Sequence, residues 1–146
     1  ELFTAYQMGD FNRHNVMVSL EHARRQRVFH WFLEFPEVFQ NGGFDAFIGN
    51  PPFMGGKKIT GNFSTQYRDY LIVLIASGKS GAADFCAYFF LQAFRFLRQK
   101  GFLCLIATNT IAQGDTREVG LEQILNAGGT IIRANASRSW PGRRGT

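Results

Sequence analysis

The chain has 146 residues, 45% of them apolar, with 16 lysines and arginines against 11 acidic residues, a net charge of +5 and an isoelectric point near 9.6. That bounds it to one domain, or part of one, with a hydrophobic core, and the basic balance favours a polyanionic partner without requiring one. Apolar runs such as Leu71 to Ala76 fall far short of the ~20 residues a bilayer needs, and no secretory leader is visible, so no membrane span is expected and the cytoplasm is.

From Val16 to Leu33 the pattern is that of a charged helix, with Glu21, Arg24 and Arg25 outward and an aromatic end at Phe29, Trp31 and Phe32. His14, His22 and His30 stand eight apart, so on one helix they diverge, and no metal site is expected. Pro36 limits the helix and closes a helical lead-in over residues 1–40. After Gly42-Gly43, the run Phe44 to Ile48 has turn signals on both sides and reads as a buried strand of a parallel sheet, stopping at Gly49-Asn50-Pro51-Pro52. Residues 54–66 read as a glycine-rich basic loop, and Tyr67 to Ala76 as a short helix. Ser77-Gly78-Lys79-Ser80 superficially suggests a phosphate loop, but Val73 occupies the position of the required earlier glycine, so it is a turn.

The apolar stripe of Phe85, Phe89, Phe90, Phe94 and Leu97 gives the strongest helix, Ala82 to Arg98, ended by Gly101. Phe102 to Ala107 then reads as a second fully buried strand. Asp115 and Glu118 resemble a capping box opening a helix to Ala127, and after Gly128-Gly129 a third strand is expected over Thr130 to Ala134. Cys86 and Cys104 are too far apart for a CxxC pair and read as buried small hydrophobes. Strand alternating with helix predicts an α/β fold with a parallel sheet, its motif-bearing core over residues 41–142.

The string Phe44-Asp-Ala-Phe-Ile-Gly-Asn-Pro-Pro-Phe53 puts a polar residue and two prolines at the carboxyl end of a buried strand, the edge where open α/β sheets bind ligands. Pro51 and Pro52 fix their own φ and bias Asn50 toward an extended backbone, which holds the Asn50 amide and the Pro51 carbonyl as a rigid pair of acceptors. An aromatic amine is a poor nucleophile because its lone pair is delocalised into the ring. Two acceptors on its two hydrogens favour the pyramidal, reactive geometry, and Phe53 offers a flat face for a base to stack on.

GNPPF after an apolar strand resembles the DPPY/NPPF motif of amino-methyltransferases, particularly the gamma-class DNA adenine methyltransferases of fused type II restriction-modification polypeptides. FHWFLEFPEVF upstream, GNPPFMGGKKITG, the helix beginning at Ala83-Asp84 with CAYFFLQAF, GFLCLIATNTIAQGDTREVG and SRSWPG follow in the expected order, over roughly residues 28–142. The resemblance implies a Rossmann-like, doubly wound parallel sheet and S-adenosylmethionine-dependent methylation of the exocyclic amine of an adenine flipped out of double-stranded DNA. Asn50 and Pro51, with Pro52, take the role of holding the amine and Phe53 that of stacking. Lys57 and Lys58 after the motif are either phosphate contacts or a solvated pair. Trp140, before Pro141, is either the second wall of the base site or a packing residue. Asp84 stands near a polar position of the family's next helix, with no catalytic role assigned.

The family's cofactor glycine motif has no counterpart, since no GxG occurs in the chain. The expectation is therefore strands 4 to 6 alone, a cofactor pocket largely outside these residues, and N-terminal and target-recognition segments elsewhere in the polypeptide. The start at Glu1 and the ending Arg143-Arg144-Gly145-Thr146 read likewise as a fragment, inactive by itself. Two other readings stay open: methylation of a different planar amine, in protein glutamine or an RNA base, and a catalytically silent remnant. Phe53 in place of tyrosine favours DNA over glutamine.

Overall fold

The computed structural model describes residues 29–136, so residues 16–28 of the helix expected over Val16 to Leu33, and Trp140, lie outside the described residues, while Phe29 and His30 are not helical. Two compact units divide the chain, Glu1–Gln40 and Asn41–Thr146. In the described part of the first, helix α1 (Trp31–Glu34) stops at Phe35 and α2 (Pro36–Gln40) follows at once. Pro36 opens that helix, where its missing N–H costs nothing and its φ is already helical. Phe32 and Phe39 meet with ring centroids 4.1 Å apart, and Phe29 meets Trp31 edge-on at 5.1 Å.

In the second unit the order is β1 (Phe44–Gly49), α3 (Gly56–Asn62), α4 (Thr65–Tyr70) continued by a π-helical turn (Leu71–Ile75), α5 (Phe85–Phe96) and β2 (Leu97–Leu105). A 3-10 turn (Asn109–Ala112), α6 (Gly114–Thr116), a π-helical turn (Arg117–Leu121) and α7 (Glu122–Asn126) complete it. The two strands are parallel, with Phe47 opposite Leu103 and Gly49 opposite Leu105, and α3 to α5 supply the crossover that parallel neighbours require. Gly43, at φ +121°, lies so close to the end of α5 that a Cβ would sit 2.5 Å from the Phe96 carbonyl oxygen, so only glycine fits this entry to β1.

The expected elements are present with four corrections. The helix expected to Arg98 ends at Phe96, and Leu97 already begins β2, whose register shifts between Phe44 and Ala46 across the left-handed Lys100 (φ 62°). An exposed Arg98–Asp45 pair at 2.6 Å spans this irregularity, and at such exposure it contributes little. The expected loop over 54–66 contains α3, because Ile59 buries to 2% exposure in the core, and that burial outweighs two glycines and an asparagine in the segment.

The third strand over 130–134 is absent: this stretch has no regular secondary structure, pairs with neither described strand and is exposed, with Ile132 78% accessible. The strands are also not fully buried. Phe47, Leu103 and Leu105 face the packed side, while Ala46, Ile48, Phe102 and Cys104 line a face left uncovered by the described residues, Ile48 being 84% accessible. Both sides of these strands are apolar, so composition could not show that only one is covered. The main core lies among the helices, built from Ile59, Leu71, Ile75, Phe85, Tyr88, Leu91, Val119 and Ile124, with Leu103 the sheet's contribution. Among the described residues no helix is long and apolar enough to cross a membrane, and no His, Cys, Asp and Glu cluster is able to hold a metal.

The two cysteines differ. Cys86 is fully buried on α5, whereas Cys104 is exposed, against the expectation that both are core residues. Burial, then the Asp84 carboxylate beside it, pushes the Cys86 thiol up to about 12 from its ordinary 9.0. A thiol raised in the fold keeps its proton when the unfolded chain has lost it. Its stabilising share is therefore complete below about pH 9 and is lost as pH rises toward 12. The expected result of iodoacetamide labelling at pH 8, read by peptide mass spectrometry, is modification of Cys104 with Cys86 spared until the protein is denatured.

Candidate active site

The ladder between β1 and β2 closes where the Ile106 N–H donates to the Gly49 carbonyl at 3.1 Å, and the first residue beyond β1 is Asn50. Because the strands are parallel, the ends of both, Asn50-Pro51-Pro52 and Ile106-Ala107-Thr108, lie on one edge of the sheet. Asn50 is exposed, and neither its side-chain amide nor the Pro51 carbonyl makes a hydrogen bond among the described residues. Pro51 itself is buried, which anchors the start of the turn. Phe53 is 45% accessible, and no ring of a described residue stacks on it. Two free acceptors and a free aromatic face thus occur within four residues. This is the grouping needed to hold a planar amine-bearing ring.

The residue after the tetrapeptide is tied down from three directions. The Met54 N–H donates to Asp84 Oδ1 at 3.2 Å, its carbonyl accepts from the Phe85 N–H at 2.8 Å, and its sulfur lies 3.3 Å from Asn62 Nδ2. Asp84 is the N-cap of α5, its Oδ1 also accepting from the Cys86 N–H at 3.0 Å, while its own N–H donates to Thr116 Oγ1 at 3.0 Å. Thr116 is buried at 6% exposure. The sequence places Asp84 only near the start of this helix, and nothing local shows either its capping bond or its bond to Met54. Asp115, expected to open the last helix as a capping box, accepts instead from the Ala82 N–H at 2.6 Å, and Gln113 stands at the N-cap without a side-chain bond.

Lys57 and Lys58 occupy the first turn of α3, a helix and not the expected loop, and both are exposed, with no acidic residue in that turn. They stand four and five residues beyond Phe53 with their ammonium groups in solvent. On the cofactor, neither strand end fits. β1 runs into Asn50-Pro51-Pro52 and β2 into Ile106-Ala107-Thr108, so no glycine-rich turn lets a backbone approach a nucleoside at either described strand end.

The profile described as Eco57I restriction-modification methylase matches residues 6–127. No curated protein and no solved structure matches the chain.

Proposed function

The chain belongs to the Eco57I restriction-modification methylase family, and we propose that its Asn50-Pro51-Pro52-Phe53 segment holds an adenine flipped out of duplex DNA while the exocyclic amine is methylated. The observation that carries this reading is the unbonded, exposed Asn50 amide beside the unbonded Pro51 carbonyl at the closing edge of a parallel sheet. Asn50 Oδ1 and the Pro51 carbonyl oxygen accept from the two amine hydrogens and draw the nitrogen toward tetrahedral geometry. As positive charge develops on that nitrogen, both acceptors bind it more strongly than in the ground state, which is the differential binding that lowers a barrier. Phe53 stacks on the extruded ring and replaces part of the stacking lost on leaving the duplex.

S-adenosylmethionine is the methyl donor in this proposal, held by residues other than the two described strand ends. Lys57 and Lys58 meet DNA phosphates, in keeping with the net charge of +5, and the enzyme acts in the cytoplasm, where its DNA is. The site belongs to a Rossmann-like sheet of which β1 and β2 are two adjacent strands, with residues 1–40 leading into the core over 41–142. Trp140 is proposed as the second wall of the base site.

The test is to incubate the intact protein with duplex DNA and labelled S-adenosylmethionine, then digest to nucleosides. Label in N6-methyladenine is the expected result, and label confined to methylcytosine, or transfer to protein or RNA alone, overturns the assignment. Phe53→Ala is expected to weaken the apparent affinity for duplex by about 1 to 3 kcal/mol, the range for one lost base-stacking partner. Because Phe53 is half exposed, melting should barely move. Unchanged duplex kinetics in this variant would make Phe53 a packing residue.

A further inference from the structure

We propose that Asp84, held by Thr116, is a positioning residue for the base-holding segment, acting through the backbone of Met54; this rests on the reading of Asn50 to Phe53 just given. A helix cap needs only the bond from Oδ1 to the Cys86 N–H. The same oxygen also takes the Met54 N–H, 30 residues away in sequence, and the next residue, Phe85, returns a bond to the Met54 carbonyl. Both peptide groups flanking Met54 are thereby fixed to one point of α5. Upstream, Pro51 is buried, and Pro51 and Pro52 each have a locked φ. Phe53 is therefore the one residue with two soft backbone dihedrals between Pro52 and Met54, and the direction in which its side chain leaves the backbone depends on where Met54 is held.

The clamp is itself anchored. The Asp84 N–H is taken by the buried Thr116 hydroxyl, and the nearby Ala82 N–H by Asp115, so the irregular segment before α5 is bonded on one side to Met54 and on the other to α6. No lysine or arginine among the described residues pairs with Asp84. Its Oδ1 is occupied by two backbone N–H groups, and an amide oxygen in the same place accepts both, though more weakly than a carboxylate does. Geometry, not charge, is what Asp84 supplies.

Two substitutions in the intact protein, as its gene encodes it, separate this role from simple helix capping. Asp84→Asn presents an amide oxygen where Oδ1 stands and retains both bonds. Asp84→Ser caps α5 about as well, since serine ranks with aspartate at that position, but its Oγ ends one bond short of Met54. The expected result for Asp84→Ser is near wild-type melting, faster amide exchange in the peptide containing Met54, and a rise of about tenfold in KM for duplex with the cofactor KM unchanged, the size of one lost hydrogen bond. Asp84→Asn should recover most of the loss in both readouts. Wild-type amide exchange in Asp84→Ser overturns the clamp. Faster exchange with unchanged duplex KM overturns its link to the base, and an Asp84→Asn variant as impaired as Asp84→Ser overturns the assignment of geometry over charge. Should Asp84→Ser fail to fold, Thr116→Val, which removes only the hydroxyl, is expected to give the same exchange and KM changes, and their absence overturns the proposal. If the wild-type protein methylates no adenine, the base-holding reading fails, and with it the proposed role, while the exchange data still decide whether Asp84 holds Met54.

Discussion

Replacing Asn50 by alanine is expected to reduce methyl transfer by about 10²- to 10³-fold in kcat, the cost of deleting one preorganised group that binds developing charge. The reason lies in what the residue does and does not touch. Asn50 is exposed and its amide has no hydrogen-bond partner among the described residues, so the fold loses nothing when it is removed. Melting should therefore stay within about 0.5 kcal/mol of wild type. Its use is reserved for a ligand that brings two hydrogens to the sheet edge. Asn50→Asp sharpens the test, because a carboxylate keeps an acceptor at the same distance while Asn50→Ala keeps none. Residual activity well above the alanine level in Asn50→Asp, with normal cofactor affinity in both, is the pattern for an acceptor acting on the amine. Near wild-type turnover in Asn50→Ala would remove the tetrapeptide from the chemistry and leave the family relation standing without this site.

The parts of the molecule that were legible in the sequence are those whose signal is local. The strand over 44–48 and the polar stop at Asn50-Pro51-Pro52 appear where expected, because a short apolar run, a glycine pair before it and prolines after it all act within ten residues. The helix of Phe85 to Phe96 was announced by its aromatic spacing. What was not legible depends on contacts distant in sequence. Helix α3 looks like a loop by composition and exists because Ile59 finds the core. The Thr130 to Ala134 stretch has the composition of a strand, but no described strand lies beside it to take its hydrogen bonds, and composition cannot supply a partner. Asp115 reads as a capping residue only while Ala82 is out of view; the bond between them spans 33 positions. The same holds at the site, where Asn50, Pro51 and Phe53 are adjacent and visible together, whereas Asp84 and Thr116 join them through bonds spanning 30 and 32 residues.

Gly56→Ala is expected to be the most damaging single methyl group that can be added to this region. Gly56 is buried at the first position of α3, and a Cβ there would lie 2.4 Å from the Ala82 carbonyl carbon and 2.5 Å from the carbonyl oxygens of Ala82 and Ala83. These are backbone atoms of the segment that Asp115 and Thr116 hold in place, so no side-chain rotation relieves the overlap. Helix α3 must back away, and with it go Ile59 from the core and the Met54 bonds two residues upstream. The expected cost is about 3 kcal/mol, the upper part of the overpacking range, or a fall in melting temperature of roughly 13 °C for a unit of this size. Methyl transfer should fall as well, since the base-holding segment is positioned through the same contact. Two neighbouring glycines provide the controls. A Cβ at Gly55 (φ −55°, ψ 138°) or at Gly61 meets nothing within 4 Å. Gly55→Ala should be close to neutral, and Gly61→Ala, inside α3, should stabilise by up to about 1 kcal/mol through helix propensity. If all three variants melt alike, α3 does not pack on the Ala82-Ala83 backbone, and the path by which that backbone orients Asn50 to Phe53 is lost with it.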